Sequence, residues 1–292
     1  MTMNIHYLGP PGTFSEKASK TYTSFMGGEY VLQDHDTIRA AAEAVGGQDH
    51  IAVLPYYNLL DGTVTDTVDT VLAGGLFAKA IVRLPIRFDA AAQGDLSTVK
   101  SVVSHPKALA QCSEFIQSLG SSIKREPVGS TAAAVALAGN EHGVMAIASP
   151  EAIAASGLNR LGKDVGDRRY DIPNYTEFLV CRPASDGFSD KELVSGALFA
   201  FLLSGETLSV ILSHLQPVGL KVEKLMVRPA PPNACATSQA PQSVLLQLSS
   251  RPLSRVDFQR SIDEVIKGHW DAVRCVGVVG EPLGDSFEPA RA

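Results

Sequence analysis

Asn174-Tyr175-Thr176-Glu177-Phe178 runs directly into the apolar stretch Leu179-Val180-Cys181. Polar groups alternate with aromatic rings and then give way to a run that reads as a buried strand. Thr176 then sits at the mouth of that strand, where its hydroxyl can face a cleft while Phe178 stays packed. A Thr-x-Phe strand is, on its own, only a strand. Its meaning comes from four other stretches in which polar or helix-starting residues stand beside strands.

The first is Ile5-His6-Tyr7-Leu8, a strand broken by Gly9-Pro10-Pro11-Gly12 before Thr13-Phe14-Ser15-Glu16 opens a helix. Thr13 and Ser15 are candidate caps there, and a helix start exposes backbone N–H groups that can hold a carboxylate or phosphate. The G-x-G-x-x-G spacing of a dinucleotide fold is absent. In the second, the strand Ile51–Leu54 ends at Pro55 and leads to Tyr56-Tyr57-Asn58-Leu59-Leu60-Asp61-Gly62-Thr63-Val64. Asn58 can donate and accept at a strand end, or form a turn with its own side chain. The third is Ser104-His105-Pro106-Lys107-Ala108-Leu109-Ala110-Gln111, again strand, polar turn and helix. Ser104 suits a cap, Gln111 a nearby helix face, and His105 before proline reads as positional rather than as a base. The fourth is Gly129-Ser130-Thr131, which caps an alanine-rich helix.

Strands alternating with helices through residues 1–182 predict an α/β class with mostly parallel strands, and ligands in such sheets bind off the carboxyl ends of the strands. Residues 184–195 read as a linker by composition. Beyond them a β-α-β-β-α-β order predicts a ferredoxin-like unit over 196–282, with 283–292 as a tail.

Composition narrows the partners. The 292 residues carry 31 acidic against 25 basic side chains without a long like-charge run, which argues against nucleic acid or an anionic membrane as partner. No apolar stretch reaches the roughly 18 residues of a membrane span, and Met1–His6 lacks a signal pattern, so a cytoplasmic protein is expected. Cys112, Cys181, Cys235 and Cys275 are far apart and the seven histidines are scattered, so neither a zinc site nor another cofactor is expected.

Taken together, Tyr7-Leu8-Gly9-Pro10-x-Gly12-Thr13-Phe14-Ser15-Glu16, Pro55 with Asn58, Gly62 and Val64, Ser104-His105-Pro106 with Gln111-Cys112, Ser130-Thr131-Ala132, and Thr176-x-Phe178 resemble the prephenate dehydratase family over residues 5–182. The resemblance implies a two-lobed catalytic domain of the periplasmic-binding-protein type (type II) over 1–183, followed by an ACT domain, in a homodimer or homotetramer. It implies a lyase that converts prephenate to phenylpyruvate by loss of carbon dioxide and water, with Thr176 as the essential hydroxyl. Gln111 and Ser104 would assist catalysis. Thr13, Ser15, Asn58, Gly62, Thr131, Glu177 and Phe178 would bind the substrate.

Three positions depart from the family pattern. Tyr57 and Leu59 flank Asn58 where the family has Glu and Ser, and Glu177 replaces the Arg of Thr-Arg-Phe. An anion in place of a cation beside a dianionic substrate reverses the local field. Glu177 can therefore point away from the cleft, serve as an acid, or mark a different substrate. The alternatives to the dehydratase are a non-aromatising prephenate decarboxylase, an arogenate lyase, and a catalytically silent ligand sensor. In the C-terminal unit, only Arg228-Pro229 survives clearly from the motifs that shape the family's phenylalanine site, so a structural role is expected there.

Overall fold

The computed structural model describes residues 2–168, 173–186, 193–202, 219–230, 242–265 and 273–284, with positions 209, 212, 213 and 215 of an intervening helical stretch. Strands β1 (Met3–Leu8), β2 (Tyr30–His35), β3 (His50–Asn58), β4 (Gly62–Thr63) and β5 (Leu76–Pro85) lie in a first sheet. The chain then crosses to a second sheet of β6 (Asp89–Ala92), β7 (Ser101–Ser104), β8 (Lys124–Pro127), β9 (Val144–Ala148) and β10 (Asn159–Gly162). It returns to the first sheet as β11 (Tyr175–Pro183) and continues there with β12 (Leu193–Leu202), β13 (Lys221–Pro229), β14 (Gln242–Ser254), β15 (Val273–Val279) and β16 (Leu283–Gly284). The first sheet has the order β13-β14-β12-β15-β5-β11-β3-β1-β2, and the second β10-β6-β9-β7-β8.

The expected α/β class is present, but the sheets are mixed rather than mostly parallel. β11 runs antiparallel to both β3 and β5, and β6 runs antiparallel to both β9 and β10. The reason is the double crossing: a strand that returns from another lobe enters from the opposite end. Each lobe has its own core. Ile5, Ala18, Tyr22, Val53, Val82, Phe178 and Val180 pack on one face of the first sheet, and Phe88, Val102, Leu109, Ile116, Met145 and Ile147 on the second.

The C-terminal strands continue the first sheet. β12 begins at Leu193, and residues 187–192 lie outside the described ones. The four strands stand in the order β13-β14-β12-β15, and β15 meets β5 at Gly277 and Ala78. A methyl group on Gly277 would lie 2.7 Å from the Ala78 side chain, so two small residues permit the sheets to run together. Leu198, Ala200, Met226, Leu245 and Val276 share one core with Leu54, Tyr56, Val68, Leu72 and Leu179. Alternate residues Ala197, Phe199, Val244 and Leu246 face the unit's own helix 255–265 through Phe258. Leu283 and Gly284, expected in the tail, pair with Val82 and Arg83 of β5. Most of residues 203–218, residues 231–241 and the end of the expected tail lie outside the described residues. Among the described residues no helix is long and apolar enough to cross a membrane.

Three histidines cross the far edge of the first sheet. Buried His6 lies 2.9 Å from His35 through Nδ1 and 2.8 Å from His50 through Nε2. Burial, reinforced by His35 and then His50, lowers its pKa to about 4 from 6.5. A depressed histidine pKa stabilises the fold fully above pH 6.5, and that contribution disappears as pH falls toward 4. Urea unfolding at stepped pH should show wild-type stability falling more steeply across this window than that of His6→Asn, by up to about 1.4 kcal/mol per pH unit. Parallel curves would show that His6 is not the titrating group.

Candidate active site

Period-two alternation along β11 separates two chemistries. Thr176 stands opposite Asn58 on β3, and Glu177 stands opposite Tyr57 on β3 and Arg83 on β5. Thr176 shares its face with Phe178 and Val180, whereas Glu177 shares its face with Leu179 and Cys181.

On the first face the hydrogen-bond directions are determined. The Asn58 Oδ1 accepts from the backbone N–H groups of Leu60 and Asp61, at 2.9 and 3.0 Å. This fixes the amide so that Nδ2 donates, and it does so to Thr176 Oγ1 at 2.9 Å. The Thr176 oxygen therefore acts as acceptor toward Asn58, and its O–H is left to donate elsewhere. The second lobe enters through Gln111, at the end of the helix Pro106–Gln111. Its Nε2 donates to Asp61 Oδ2 at 2.8 Å, and its Oε1 accepts from Asn174 Nδ2 at 3.2 Å. The circuit Thr176, Asn58, Asp61, Gln111, Asn174 thus closes within two residues of where it began and bridges the two lobes.

Helix starts from both lobes also meet. Thr13 caps the helix Phe14–Met26, and Ser130 caps the helix Thr131–Asn140. A methyl on Gly12 would lie 3.8 Å from Ala132, and Lys17 is paired with Glu151 of the other lobe at 2.6 Å. Gly62, with φ +83, completes the turn after Asn58 and pairs back to it. Ser15 is buried one residue into the first helix, and its carbonyl accepts from Ser19.

Three expected site residues stand apart from this circuit. Ser104 is fully buried and donates to the Ile147 carbonyl at 2.6 Å, so its hydroxyl ties β7 to β9 and joins none of the circuit. Phe178 is a core residue at 1 % exposure, on the same face as Thr176 but packed into the apolar core beneath the first helix. Glu177 has no exposure and faces away from Thr176, where Arg83 Nη2 of the neighbouring β5 donates at 2.6 Å and Lys224 Nζ of the C-terminal unit at 2.7 Å. Lys224 also lies 4.9 Å over the Tyr57 ring. His105 is a cap, its Nδ1 accepting from Lys107 N, and burial lowers its pKa. Asp61 and Asn174 were not singled out from sequence. Asn174 could have been, because two residues before Thr176 is the same face of an extended chain.

The sequence model described as "Prephenate dehydratase" matches residues 5–185. The prephenate dehydratase of Amycolatopsis methanolica is 32% identical over 234 residues, which cover 77% of this chain and 73% of that protein. Among solved structures, the prephenate dehydratase of Staphylococcus aureus subsp. aureus Mu50 superposes with a TM-score of 0.75 at 22% identity, covering 95% of this chain and all of the other. A prephenate dehydratase from Arthrobacter aurescens in complex with L-Phe also gives 0.75 at 22% identity, covering 99% of this chain and 94% of its own. At those identities the two structures speak for the fold.

Removing the Glu177 carboxylate should leave two cations against an apolar core. Glu177→Ala is expected to cost about 3 kcal/mol of unfolding free energy in chemical denaturation. Glu177→Arg, which adds a third cation, should cost more. Unchanged stability in both would show that the ion cluster does not hold the junction.

Proposed function

The chain belongs to the prephenate dehydratase family, and we propose that it is a lyase converting prephenate to phenylpyruvate. Prephenate is a cyclohexadiene with two carboxylates and a ring hydroxyl. In the reaction the ring carboxylate leaves as carbon dioxide and the hydroxyl leaves as water, taking up one proton. The electron pair of the broken carbon–carboxylate bond completes the aromatic ring, which supplies the driving force.

The observation that carries this reading is the free O–H of Thr176. Because Asn58 is locked as the donor in that pair, the threonine proton is available to the departing hydroxyl oxygen, whose developing negative charge it stabilises. The facing helix starts at Thr13 and Thr131 support a place for the two carboxylates, since backbone N–H groups favour anions there. Gln111 supports closure of the lobes around the ligand through its bond to Asp61.

Two of the three departures from the family pattern, Tyr57 and Glu177, fit the same reading. Tyr57 and Glu177 are cross-strand neighbours on the face away from Thr176, so the family's Glu and Arg at these positions would oppose each other. With Glu177 neutralised by Lys224 there, this pair gives no reason for a different substrate. We read the C-terminal unit as an ACT domain, a reading its strand order supports. Its Arg228 is engaged by Asp69 through two bonds of 2.6 Å, which favours a structural role over phenylalanine sensing. A cytoplasmic homodimer or homotetramer completes the proposal.

Incubation of the purified protein with prephenate should yield a product with the enol absorbance of phenylpyruvate in alkali. Thr176→Val should lower kcat by at least about 100-fold while still folding, with unfolding stability lower by no more than about 1–3 kcal/mol for the buried Asn58 Nδ2 it leaves unpaired. An undiminished rate removes Thr176 from the reaction, and a non-aromatic product replaces the dehydratase reading with the decarboxylase.

A further inference from the structure

The circuit around Thr176 leaves one atom without a partner. Asn174 is 5 % exposed, and its Oδ1 has no hydrogen bond among the described residues. This is not a matter of amide orientation. Asp61 is a carboxylate and can only accept, so Gln111 must present Nε2 to it and Oε1 to Asn174. Asn174 must then present Nδ2 to Gln111, and its Oδ1 is forced outward from that pair. Leaving a buried acceptor unpaired costs about 1–3 kcal/mol, so such an atom calls for an occupant.

Thr176, two residues along, has the complementary vacancy: an O–H with its oxygen already engaged as acceptor. A free donor on Thr176 and an unpaired acceptor on Asn174, two residues before it where the chain enters β11, match a single chemical group, an alcohol, which both accepts and donates. We infer that Asn174 is a further substrate-binding residue, whose Oδ1 accepts the hydrogen bond of the same ring hydroxyl to which Thr176 donates. This rests on the reading of the site as a dehydratase centre and deepens it. The pair orients the hydroxyl with a lone pair toward Thr176, and it holds the water that departs. Asp61 and Gln111 act through Asn174 as positioning residues, because the negative charge on Asp61 sets the direction of each amide in turn.

The test uses prephenate and its 4-deoxy analogue, in which hydrogen replaces the ring hydroxyl. Asn174→Ala should lower kcat/KM for prephenate by about tenfold to hundredfold, while the inhibition constant of the deoxy analogue moves by less than about twofold. Equal weakening of both would show that Asn174 only shapes the site, and would overturn the inference. Should the alanine variant fail to fold, Asn174→Gln keeps both an amide donor for Gln111 Oε1 and an acceptor oxygen. It should retain the wild-type preference for the hydroxyl-bearing ligand, and loss of that preference would overturn the inference as well. Failure of the functional reading is separately visible, because wild-type protein that does not consume prephenate removes both conclusions. Turnover with an unselective Asn174→Ala removes only this one.

Discussion

The alternation of side chains along one central strand is the constraint on which this molecule is built. β11 lies between β3 and β5, antiparallel to both, and it cannot slip by one residue without exchanging its faces. Thr176 therefore belongs to the site because Glu177 belongs to the junction. The apolar residues that follow carry the same division: Phe178 and Val180 enter the core beneath the first helix, and Leu179 and Cys181 enter the core shared with the C-terminal unit.

Two polar systems hang on those faces, and each obeys the rule that buried polar groups need partners. On the junction side, Glu177 has a cation at each carboxylate oxygen: Arg83 at Oε1 and Lys224 at Oε2. Such a cluster adds little or no net stability compared with a well-packed apolar replacement, but it is costly to break. It also ties the residue after Thr176 to a strand some fifty residues later, the strand that carries Arg228 and its pair with Asp69. On the site side, every bond direction descends from two fixed points, the backbone amides of Leu60 and Asp61 and the carboxylate of Asp61. Preorganised donors of this kind do not have to reorient when charge develops on a leaving group.

The joining of the two sheets gives the C-terminal unit a share in the catalytic lobe. Val68 and Leu72, on the helix Thr65–Ala73, pack in the same core as Leu198, Met226 and Leu245. That helix follows directly on the turn that carries Asn58, Asp61 and Gly62. The C-terminal sheet thus supports the segment that positions Asn58, and the contact through Gly277 brings it against β5.

Much was legible in the sequence. The punctuation of Gly9–Gly12, Pro55 and Ser104-His105-Pro106 marked where strands end and helices begin, because backbone chemistry at glycine, proline and capping residues is local. The order of those stretches pointed to the family, and Thr176, Asn58 and Gln111 do come together. Sequence could not decide which way Glu177 faces or what neutralises it, since Arg83 and Lys224 are 94 and 47 residues away. Nor could it tell that Ser104 is absorbed by a neighbouring strand, that β11 returns antiparallel, or that Asn174 keeps an acceptor unpaired. Those outcomes depend on which distant groups the folded chain brings within hydrogen-bond reach, and only the packing of the strands selects them.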